Sequence, residues 1–594
     1  MPSASQSQAH PRFASRDRRP PGFGQGILLQ GLRRQALQKL LRSLNIGRLS
    51  PADRQRVLEL VNGLLRLDGG RQIGDAALYT FDSDAITILE SHRLRSEIAR
   101  RLSGLRALDE AAVGGMGEAT GRTPIRTFRE SNLRHSLITR PPVLELSVAD
   151  AETSFISGEN ASLAHLARIL GLDGSRYSVP SIGQLSTALQ RAGAHLRVQW
   201  GTDPGHGAIP PAILSSLRQY RPAVLRLSVA SVHGASSEDP SLQVDAVLIH
   251  DSGQLRAWRS TQSRSSLVDA LRRIYRDASG DSATTPDSRE SSALSSVLDP
   301  VIAEITREKV STLIISADPL LLNVPFASLP TSEGPLGHLV AFSITPSLAV
   351  SNLMGSAILL SGEGSRSVTT VIAGSRHFRD GLAPLPMAEQ EMEGVLASAR
   401  QARLYASERF TVAALIDAFN DSRVDRIHLA THADTSLSGG GDALLYTTSS
   451  ELPVRELIAR VQRGQAAPLD LVSISACRSG LSYAEQELGI AGAAIQLGAR
   501  STIGSSWYVD DVATASLFVL FYRHLALGLP KAEALRLAQD QMRTAQVRVE
   551  GHQVLGPDGK PLLTGLSRDQ QLRYRHGFRH PYFWSGLHLV GSPW

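Results

Sequence analysis

Two stretches of this 594-residue chain, IHLATHAD at 427–434 and LVSISACR at 471–478, decide its fold and the place of its chemistry. Each begins with apolar residues that suit a strand buried on both faces, and each ends in a small or polar segment carrying His432 or Cys477. The two residues are 45 positions apart, room for one strand–helix–strand crossover of about 30 residues or more. Because reactive groups gather beyond the carboxyl ends of parallel strands, we expect the imidazole and the thiol at one edge of a sheet.

Strands and helices alternate around these two stretches. The apolar patterns predict strands at 368–373, 424–430, 469–475 and 502–505, and helices at 388–398, 411–419, 454–461, 488–498 and 512–527. Upstream they predict strands at 141–148, 223–229, 245–250, 255–258 and 311–317, and helices at 161–170, 182–192, 266–275 and 297–304. This order predicts an α/β fold, a mostly parallel sheet flanked by helices.

The end of the chain carries a turn signal. Pro557-Asp558-Gly559 predicts a hairpin over 553–563, followed by a final strand at HPYFW, residues 580–584. We expect the stretch 548–577 to be a variable loop that contacts a partner or covers the cleft.

The front of the chain differs in composition from the rest. Residues 1–25 are rich in Ser, Gln, Pro and Arg and predict a disordered basic tail, whereas leucines at three- and four-residue steps predict a helical module over 26–110. Residues 111–204 read as a mixed α/β or linker region. The net charge of the whole chain is +6, and the excess of basic residues lies in this front part. No recognition motif or interleaved aromatic residue accompanies it, which favours a solvated tail over nucleic-acid binding.

Composition excludes several classes of protein. Cys477 is the only cysteine, so an intramolecular disulfide and a cysteine-cluster metal site are both excluded. No uninterrupted apolar run reaches the roughly 18 residues of a membrane span, and the first 25 residues do not resemble a signal peptide. His576 and His580 have a ligand-like spacing without an evident third ligand. We therefore expect a cytoplasmic protein with no membrane contact, no metal and no organic cofactor.

The expected pairing of His432 with Cys477 suits nucleophilic catalysis. A thiol of pKa about 8.5 is mostly protonated at neutral pH, and a nearby imidazole manages its proton. The backbone N–H groups of Ala433 and Cys477 are candidate donors to a developing oxyanion. The alternative is structural, since a lone cysteine is often a small buried apolar residue and a strand-end histidine is often a satisfied framework group.

Further segments favour the catalytic interpretation. IHLATHA (427–433), LVSISACRSG (471–480), ELGIAGAAIQLGARSTIGSSWYVDDVAT (487–514) and HPYFWSGLHLVG (580–591) resemble the CHAT domain, a caspase-like family of cysteine peptidases related to separases, gingipains and metacaspases. The resemblance extends over 205–594 through DPLLLNVPFASLP (318–330), ITPSLAV (344–350), LPMAEQEM (385–392), FYRHLALG (521–528) and ALRLAQ (534–539). It implies a degenerate, non-catalytic half over 205–365, a catalytic half over 366–594, and a dyad of His432 and Cys477.

Two positions depart from the family pattern. Ala433 stands where the family usually has glycine, and Arg478 stands where an acidic or polar residue is common. Arg478 is either a pocket residue that favours an acidic substrate side chain or a surface arginine. The other pocket candidates are Asp434, Glu487, Asp510 and Asp511, which together with Trp507 are expected to serve as framework or pocket wall before chemistry.

The resemblance implies a cysteine endopeptidase that acts on a protein target as a regulated bacterial effector. The helical module at 26–110 would then bind an activating protein partner. The alternative is a catalytically silent caspase-like scaffold for protein–protein interaction, and the departures at Ala433 and Arg478 keep it open.

Overall fold

The computed structural model describes residues 141–594 apart from several gaps. The gaps are 171–176, 202–208, 233–238, 280–291, 332, 352–367, 379–381, 383, 435–442, 463–467, 477–478, 480–488 and 508. The predicted tail at 1–25, the helical module at 26–110 and residues 111–140 of the mixed region therefore lie outside the described residues.

Strands and helices alternate through much of the described chain. The strands are β1 (Val143–Glu145), β2 (Pro222–Ser231), β3 (Ser241–His250), β4 (Leu255–Ser263), β5 (Thr312–Ala317), β6 (Pro330–Thr331), β7 (Gly334–Pro335), β8 (Ala341–Thr345), β9 (Thr369–Gly374), β10 (Gln401–Ala406), β11 (Arg426–Ala430), β12 (Ala433–Asp434), β13 (Leu444–Tyr446), β14 (Glu451–Pro453), β15 (Leu471–Ser475), β16 (Ser501–Ser505), β17 (Arg548–Glu550), β18 (Gln553–Leu555), β19 (Pro561–Leu563) and β20 (Leu587–Gly591). The helices are α1 (Val148–Leu170), α2 (Ile182–Gly201), α3 (Pro211–Arg218), α4 (Arg264–Ser279), α5 (Ala293–Arg307), α6 (Leu336–Leu339), α7 (Ala388–Ser398), α8 (Val412–Asn420), α9 (Val454–Arg460), α10 (Gly489–Gln496), α11 (Asp511–Ala526), α12 (Lys531–Arg543) and α13 (Arg568–Arg573).

One sheet of twelve strands organises the described chain, in the order β1-β4-β3-β2-β5-β8-β20-β16-β15-β11-β9-β10. Seven of its eleven strand pairings are parallel. The pairing of β20 with β16 is antiparallel, so the parallel strands β2, β5 and β8 run opposite to β16, β15, β11 and β9. We call residues 141–351 the first half and residues 368–594 the second half. The predicted α/β fold class, with a mostly parallel sheet flanked by helices, is confirmed.

The second half is held by helices that pack closely on the sheet. Helix α11 is capped by Asp510, whose carboxylate accepts the N–H of Ala513, and it is buried along most of its length. Helix α7 approaches α11 at Gly394, where a Cβ atom would lie only 2.5 Å from Cγ2 of Val519. A side chain at residue 394 would therefore push the two helices apart.

Most of the predicted elements are present with shifts of a few residues at their ends, but α1 begins at Val148 and not at 161, and α2 ends at Gly201 and not at 192. Helix α7 coincides with the predicted 388–398, and the hairpin over 553–563 is formed by β18 and β19. The first half also includes β1, α1 and α2, which precede residue 205, and the predicted domain boundaries stay a prediction.

Two predicted strands are wrong in whole or in part. The HPYFW segment forms a 3-10 turn at Pro581–Phe583, and the final strand is β20. Pro581 has no N–H to give to a ladder, and Nδ1 of His580 accepts the N–H of Tyr582, which closes the turn. The strand predicted at 141–148 is limited to β1, because the chain enters α1 at Val148.

Candidate active site

The second half brings the carboxyl ends of four parallel strands, β9, β11, β15 and β16, to one edge of the sheet, which we call the rim. The β11–β15 ladder pairs Arg426 with Leu471 and continues in register to Ala430 and Ser475. It is extended by one more bond, in which the N–H of Thr431 donates to the carbonyl of Ser475 at 3.1 Å. The parallel order was predicted from the alternation of elements, and it places the two quoted stretches side by side.

His432 lies at the rim, two residues beyond the end of β11. Its side chain is half-buried, and its ring meets the ring of Phe378 edge-on, with centroids 4.8 Å apart. Its carbonyl accepts the N–H of Tyr446 at 3.1 Å, and the next residue, Ala433, pairs with Leu445. Both the backbone and the ring of His432 are therefore held in place. Phe378, in the loop after β9, had no signal in the sequence, because it follows its strand without a repeating pattern.

Cys477 and Arg478 lie outside the described residues, but Ala476 and Ser479 on either side are described. The carbonyl of Ala476 accepts hydrogen bonds from the hydroxyls of Ser505 at 2.7 Å and Ser479 at 3.1 Å. Ser479 is fully buried and Ser505 is 1% exposed. The chain is thus fixed to the end of β16 immediately before Cys477 and two residues after it.

A buried pair of ionisable side chains lies beneath the rim. Glu391 on α7 is 2% exposed, and its Oε2 accepts the hydroxyl of Ser475 at 3.1 Å. Its Oε1 lies 3.0 Å from Nε2 of His428, an ion-pair distance that lacks the geometry of a hydrogen bond. The ring of His428 is enclosed edge-on by Phe518 and Tyr522. Glu391 and His428 both lie in the segments quoted for the family resemblance, but the sequence did not indicate that they meet.

Asp510, a predicted pocket candidate, is already engaged by the framework. Besides capping α11, its carboxylate accepts the hydroxyl of Tyr574 at 2.7 and 2.8 Å and Nε of Arg573 at 3.2 Å. Burial and then the charge of Asp510 raise the pKa of Tyr574 above its usual range. Asp510 therefore connects the start of α11 to Arg573 and Tyr574 at the end of α13.

Asp511 lies beside it, in the first turn of α11. Its Oδ2 accepts the N–H of Met387 at 2.9 Å. Burial, followed by the neighbouring charges of Glu391 and Asp510, raises the pKa of Asp511 to about 7. A carboxyl group of this pKa carries a proton for part of the time at neutral pH.

The other predicted residues are placed as follows. The backbone of Asp434 pairs with Leu444 in the small sheet of β12, β13 and β14, and Glu487 lies outside the described residues. Trp507 is 3% exposed, and its Nε1 donates to the carbonyl of Tyr582 at 3.1 Å, so it is part of the framework.

The two histidines near the end of the chain have local partners. Nδ1 of His580 closes the turn at Tyr582, and Nε2 of His576 accepts from Nε of Arg575 at 2.8 Å. Within the described ranges, no group of three His, Cys, Asp or Glu side chains is arranged to hold a metal ion. Over the same ranges, none of the helices has the length and apolar character that crossing a membrane requires.

The described chain is a mostly parallel α/β sheet with a histidine at its rim. The segment of the only cysteine in the sequence follows the neighbouring strand. The family model of the CHAT domain matches residues 289–592, slightly more than half of the chain. The chain belongs to the CHAT domain family, a caspase-like peptidase family, as its motifs predicted. Residues 141–288, which supply β1 to β4 of the same sheet, precede the matched range.

Solved structures give remote matches. The separase–securin complex of Saccharomyces cerevisiae is 10% identical, with a TM-score of 0.36, over 63% of this chain and 30% of that chain. The arginine-specific cysteine proteinase gingipain R is 10% identical, with a TM-score of 0.33, over 49% of this chain and 66% of that chain. The complex of the pro- and mature domains of RgpB from Porphyromonas gingivalis is 11% identical, with a TM-score of 0.33, over 55% of this chain and 76% of that chain. In the first of these matches the chain spans less than a third of the separase chain, and a search of curated proteins finds no match.

Proposed function

We propose that the protein is a cysteine endopeptidase of the CHAT type, with Cys477 as the nucleophile and His432 as the general acid and base. The observation that carries the proposal is the register of the β11–β15 ladder. Each residue of β11 pairs with the residue 45 positions later, and His432 and Cys477 are separated by the same 45 positions. His432 lies at the rim two residues beyond this ladder, and Cys477 follows β15 by the same number of residues.

The proposed reaction has two steps. The thiol proton of Cys477 passes to His432, the thiolate attacks the carbonyl carbon of the scissile peptide bond, and the imidazolium gives the proton to the departing amine, which leaves a thioester. A water molecule then gives one proton to His432 and attacks the thioester; the new acid leaves and loses its remaining proton to solvent, and the thiolate takes back a proton from His432. The N–H groups of Ala433 and Cys477 are the proposed donors to the oxyanion of each tetrahedral intermediate.

The electrophilic substrate is a peptide bond of a protein, and the family membership supports this choice. We place the protein in the bacterial cytoplasm as a regulated effector, activated by a protein that binds the predicted helical module at 26–110. The pocket candidates stay Asp434, Arg478, Glu487, Asp510 and Asp511, of which Asp510 serves the framework as well. No cofactor takes part in this proposal.

The second candidate is a catalytically silent scaffold of the same fold. Ala433, in place of the usual glycine, favours it, because a methyl group beside the oxyanion position narrows the space for a substrate. The two candidates differ in whether Cys477 is reactive.

Labelling with a peptidyl chloromethyl ketone, read by mass spectrometry, separates the two candidates. We expect adducts on Cys477 of the full-length protein, none on Cys477→Ala, and a labelling rate at least about 100-fold lower for His432→Ala. His552→Ala is the matched control, because His552 is exposed in a turn between β17 and β18. A folded protein whose Cys477 is never labelled, with and without a lysate of its host as the source of an activator, would favour the scaffold.

A peptide library tests the pocket role of Arg478. If Arg478 lies in the pocket, Arg478→Ala abolishes a preference for an acidic residue before the cleaved bond. An unchanged preference assigns Arg478 to the surface.

A further inference from the structure

We propose that Phe378 is a positioning residue that sets the orientation of the His432 ring. We call residues 375–378, which follow β9, the β9 loop. This inference rests on the proposed function, because the orientation of an imidazole matters most when that ring transfers protons.

The β9 loop is fastened to the end of β11. The N–H of Ser375 donates to the carbonyl of Ala430 at 3.3 Å, and the hydroxyl of Ser375 donates to the carbonyl of His377 at 2.6 Å. In addition, the N–H of Leu385 donates to the carbonyl of Arg376 at 2.9 Å. Ser375 is 1% exposed, so water does not compete for its bonds. The backbone that leads to Phe378 is therefore fixed relative to the strand that leads to the rim.

The side chain of Phe378 is held by apolar packing as well. It is half-buried and packs against the apolar cluster that Ala373, Leu429 and Ile474 help to form. Its ring meets the ring of His432 edge-on, with centroids 4.8 Å apart and ring planes at 66°. Burial against the apolar cluster opposes rotation of the phenyl ring away from His432.

An imidazole without such a neighbour does not keep one orientation. Rotation about χ2 of histidine is broad and roughly two-fold, and a turn of 180° puts carbon atoms where the ring nitrogens were. An edge-on aromatic neighbour favours one tilt of the ring, because the edge and the face of an aromatic ring carry opposite partial charges. A general base must lie within hydrogen-bond reach of the proton it takes. Phe378 therefore raises the share of molecules in which His432 is ready to transfer a proton.

Two other roles for Phe378 are the alternatives. As framework it would resemble Phe342, whose ring meets Phe326 edge-on at 6.4 Å in the core of the first half. As a pocket wall it would touch the substrate. Phe378 differs from Phe342 because it is half-buried and its partner is the ring proposed for proton transfer.

Inactivation of the full chain by a peptidyl chloromethyl ketone separates these roles. The reaction is resolved into the affinity for the reagent and the limiting rate of the bound reagent. Positioning of His432 changes the limiting rate, whereas a pocket wall changes the affinity. The pH is varied from 5.5 to 9, so that a shifted pKa of the reacting groups is seen as a displaced profile and not as a lower limiting rate.

We expect Phe378→Leu, which removes the ring and keeps an apolar side chain, to lower the limiting rate by about tenfold and to leave the affinity within about twofold. Phe378→Tyr keeps the ring and should leave both values within about twofold of the wild type. Phe342→Leu is the matched control, because it removes an edge-on contact in the first half, and it should also leave both values within about twofold. Ser375→Ala, which removes the bond to His377, should lower the limiting rate by about threefold.

An unchanged limiting rate in folded Phe378→Leu, or a loss of affinity alone, would overturn the inference and leave the proposed function standing. An equal loss in Phe378→Tyr or in Phe342→Leu would do the same, since neither variant disturbs the edge-on contact with His432. If Phe378→Leu does not fold, an unchanged limiting rate in Ser375→Ala overturns the inference. A folded wild-type protein whose Cys477 is never labelled by the ketone overturns the proposed function, and the inference with it.

Discussion

The two halves of the sheet each contain a buried pair of ionisable side chains against their parallel strands, but the pairs have different surroundings. In the first half, Arg226 of β2 meets Glu159 of α1, and both side chains are fully buried. In the second half, Glu391 of α7 meets His428 of β11 at similar depth. The first pair is closed on itself, whereas the second is connected to the rim.

Every donor of the Arg226 guanidinium has a partner. Nη1 donates to Glu159 and Ser316, and Nη2 and Nε donate to Gly158, Ser162 and Ser228. The second oxygen of Glu159 accepts the N–H of Leu348 at 2.9 Å and the hydroxyl of Ser347. Such a network specifies one packing of α1 on the sheet and leaves no group free for chemistry.

The hydrogen bonding of the pair of Glu391 and His428 is less complete. Nδ1 of His428 has no hydrogen-bond partner among the described residues, and the Glu391 carboxylate also holds Ser475, two residues before Cys477. Ionisable groups that are buried but incompletely satisfied are more typical of functional sites than of framework. Incomplete partnering alone does not separate the two halves, because Nε2 of His250 in the first half is also buried without a hydrogen-bond partner among the described residues, 3.5 Å from Glu304. The His428 pair differs by its link to Ser475, two residues before the proposed nucleophile Cys477.

The strand-end carboxylates repeat the contrast. Burial raises the pKa of Asp318, which follows β5, but the charge of Arg226 lowers it in part. Asp511, near the end of β16, is raised to a pKa of about 7, and its acidic neighbours Glu391 and Asp510 add to the effect of burial. Both carboxyl groups keep a raised pKa, but a neighbouring cation offsets part of the effect of burial on Asp318, whereas the two acidic neighbours of Asp511 add to it and exceed the opposing effect of Arg376.

The largest expected effect comes from breaking the closed pair. Arg226→Met leaves the Glu159 carboxylate buried without its cation, which should lower the free energy of unfolding by about 3–5 kcal/mol. Urea denaturation measures the loss. Arg272→Gln, which breaks an exposed pair with Asp269, is the control and should cost less than about 1 kcal/mol. The double variant Glu159→Gln with Arg226→Met should recover part of the loss, and an Arg226→Met cost below 1 kcal/mol would contradict the framework role.

The second prediction is a gain in the free energy of unfolding, from the substitution of Asp511. Between its ordinary pKa of 3.8 and about 7, Asp511 binds a proton in the folded state and not in the unfolded state, so stability falls as pH rises through this window. Asp511→Asn keeps an oxygen for the N–H of Met387 and removes the penalty. The variant should match the wild type near pH 4 and exceed it by about 4 kcal/mol at pH 8.

Urea denaturation at both pH values tests this difference. Asp417→Asn, at an exposed position of α8, should leave the pH dependence as in the wild type. A stability difference for Asp511→Asn that does not change between the two pH values would show that Asp511 is compensated, as Asp318 is in part.

A third effect lies at the seam between the halves. His588 on β20 is buried, its ring nitrogens have no partner among the described residues, and burial lowers its pKa to about 4. Between pH 6.5 and 4, His588 binds a proton in the unfolded state and not in the folded state, so stability is lost as pH falls through this window. The loss from pH 7 to pH 5 should be about 2 kcal/mol larger for the wild type than for His588→Gln. Parallel pH profiles of the free energy of unfolding for the wild type and His588→Gln would contradict this prediction.

How far the sequence predicts this molecule depends on whether a contact is local or crosses layers. The buried strands at 424–430 and 469–475 were predicted because their apolar runs are continuous, and their parallel order followed from the alternation with helices. The meeting of Glu391 with His428 was not predicted, because it depends on how a helix lies over a strand 37 residues later in the chain. Phe378 was missed because it lies in a loop without a repeating pattern, and HPYFW was misassigned because its aromatic residues suit a strand while Pro581 does not.

The smallest expected effect concerns the contact that joins the two halves near the rim. The hydroxyl of Tyr275 on α4, in the first half, donates to the carbonyl of Ser506 at 3.0 Å, and its ring meets Trp507 edge-on at 5.7 Å. Tyr275→Phe keeps the ring contact and removes one hydrogen bond, so we expect a loss of about 1 kcal/mol in urea denaturation. Tyr405→Phe, on the edge strand β10, is the control and should cost less. Ser506 follows Ser505, whose hydroxyl donates to the carbonyl of Ala476 at 2.7 Å. Slower labelling of Tyr275→Phe by the peptidyl chloromethyl ketone would therefore show that the first half also supports the proposed chemistry of the second, whereas an unchanged rate would confine its role to stability.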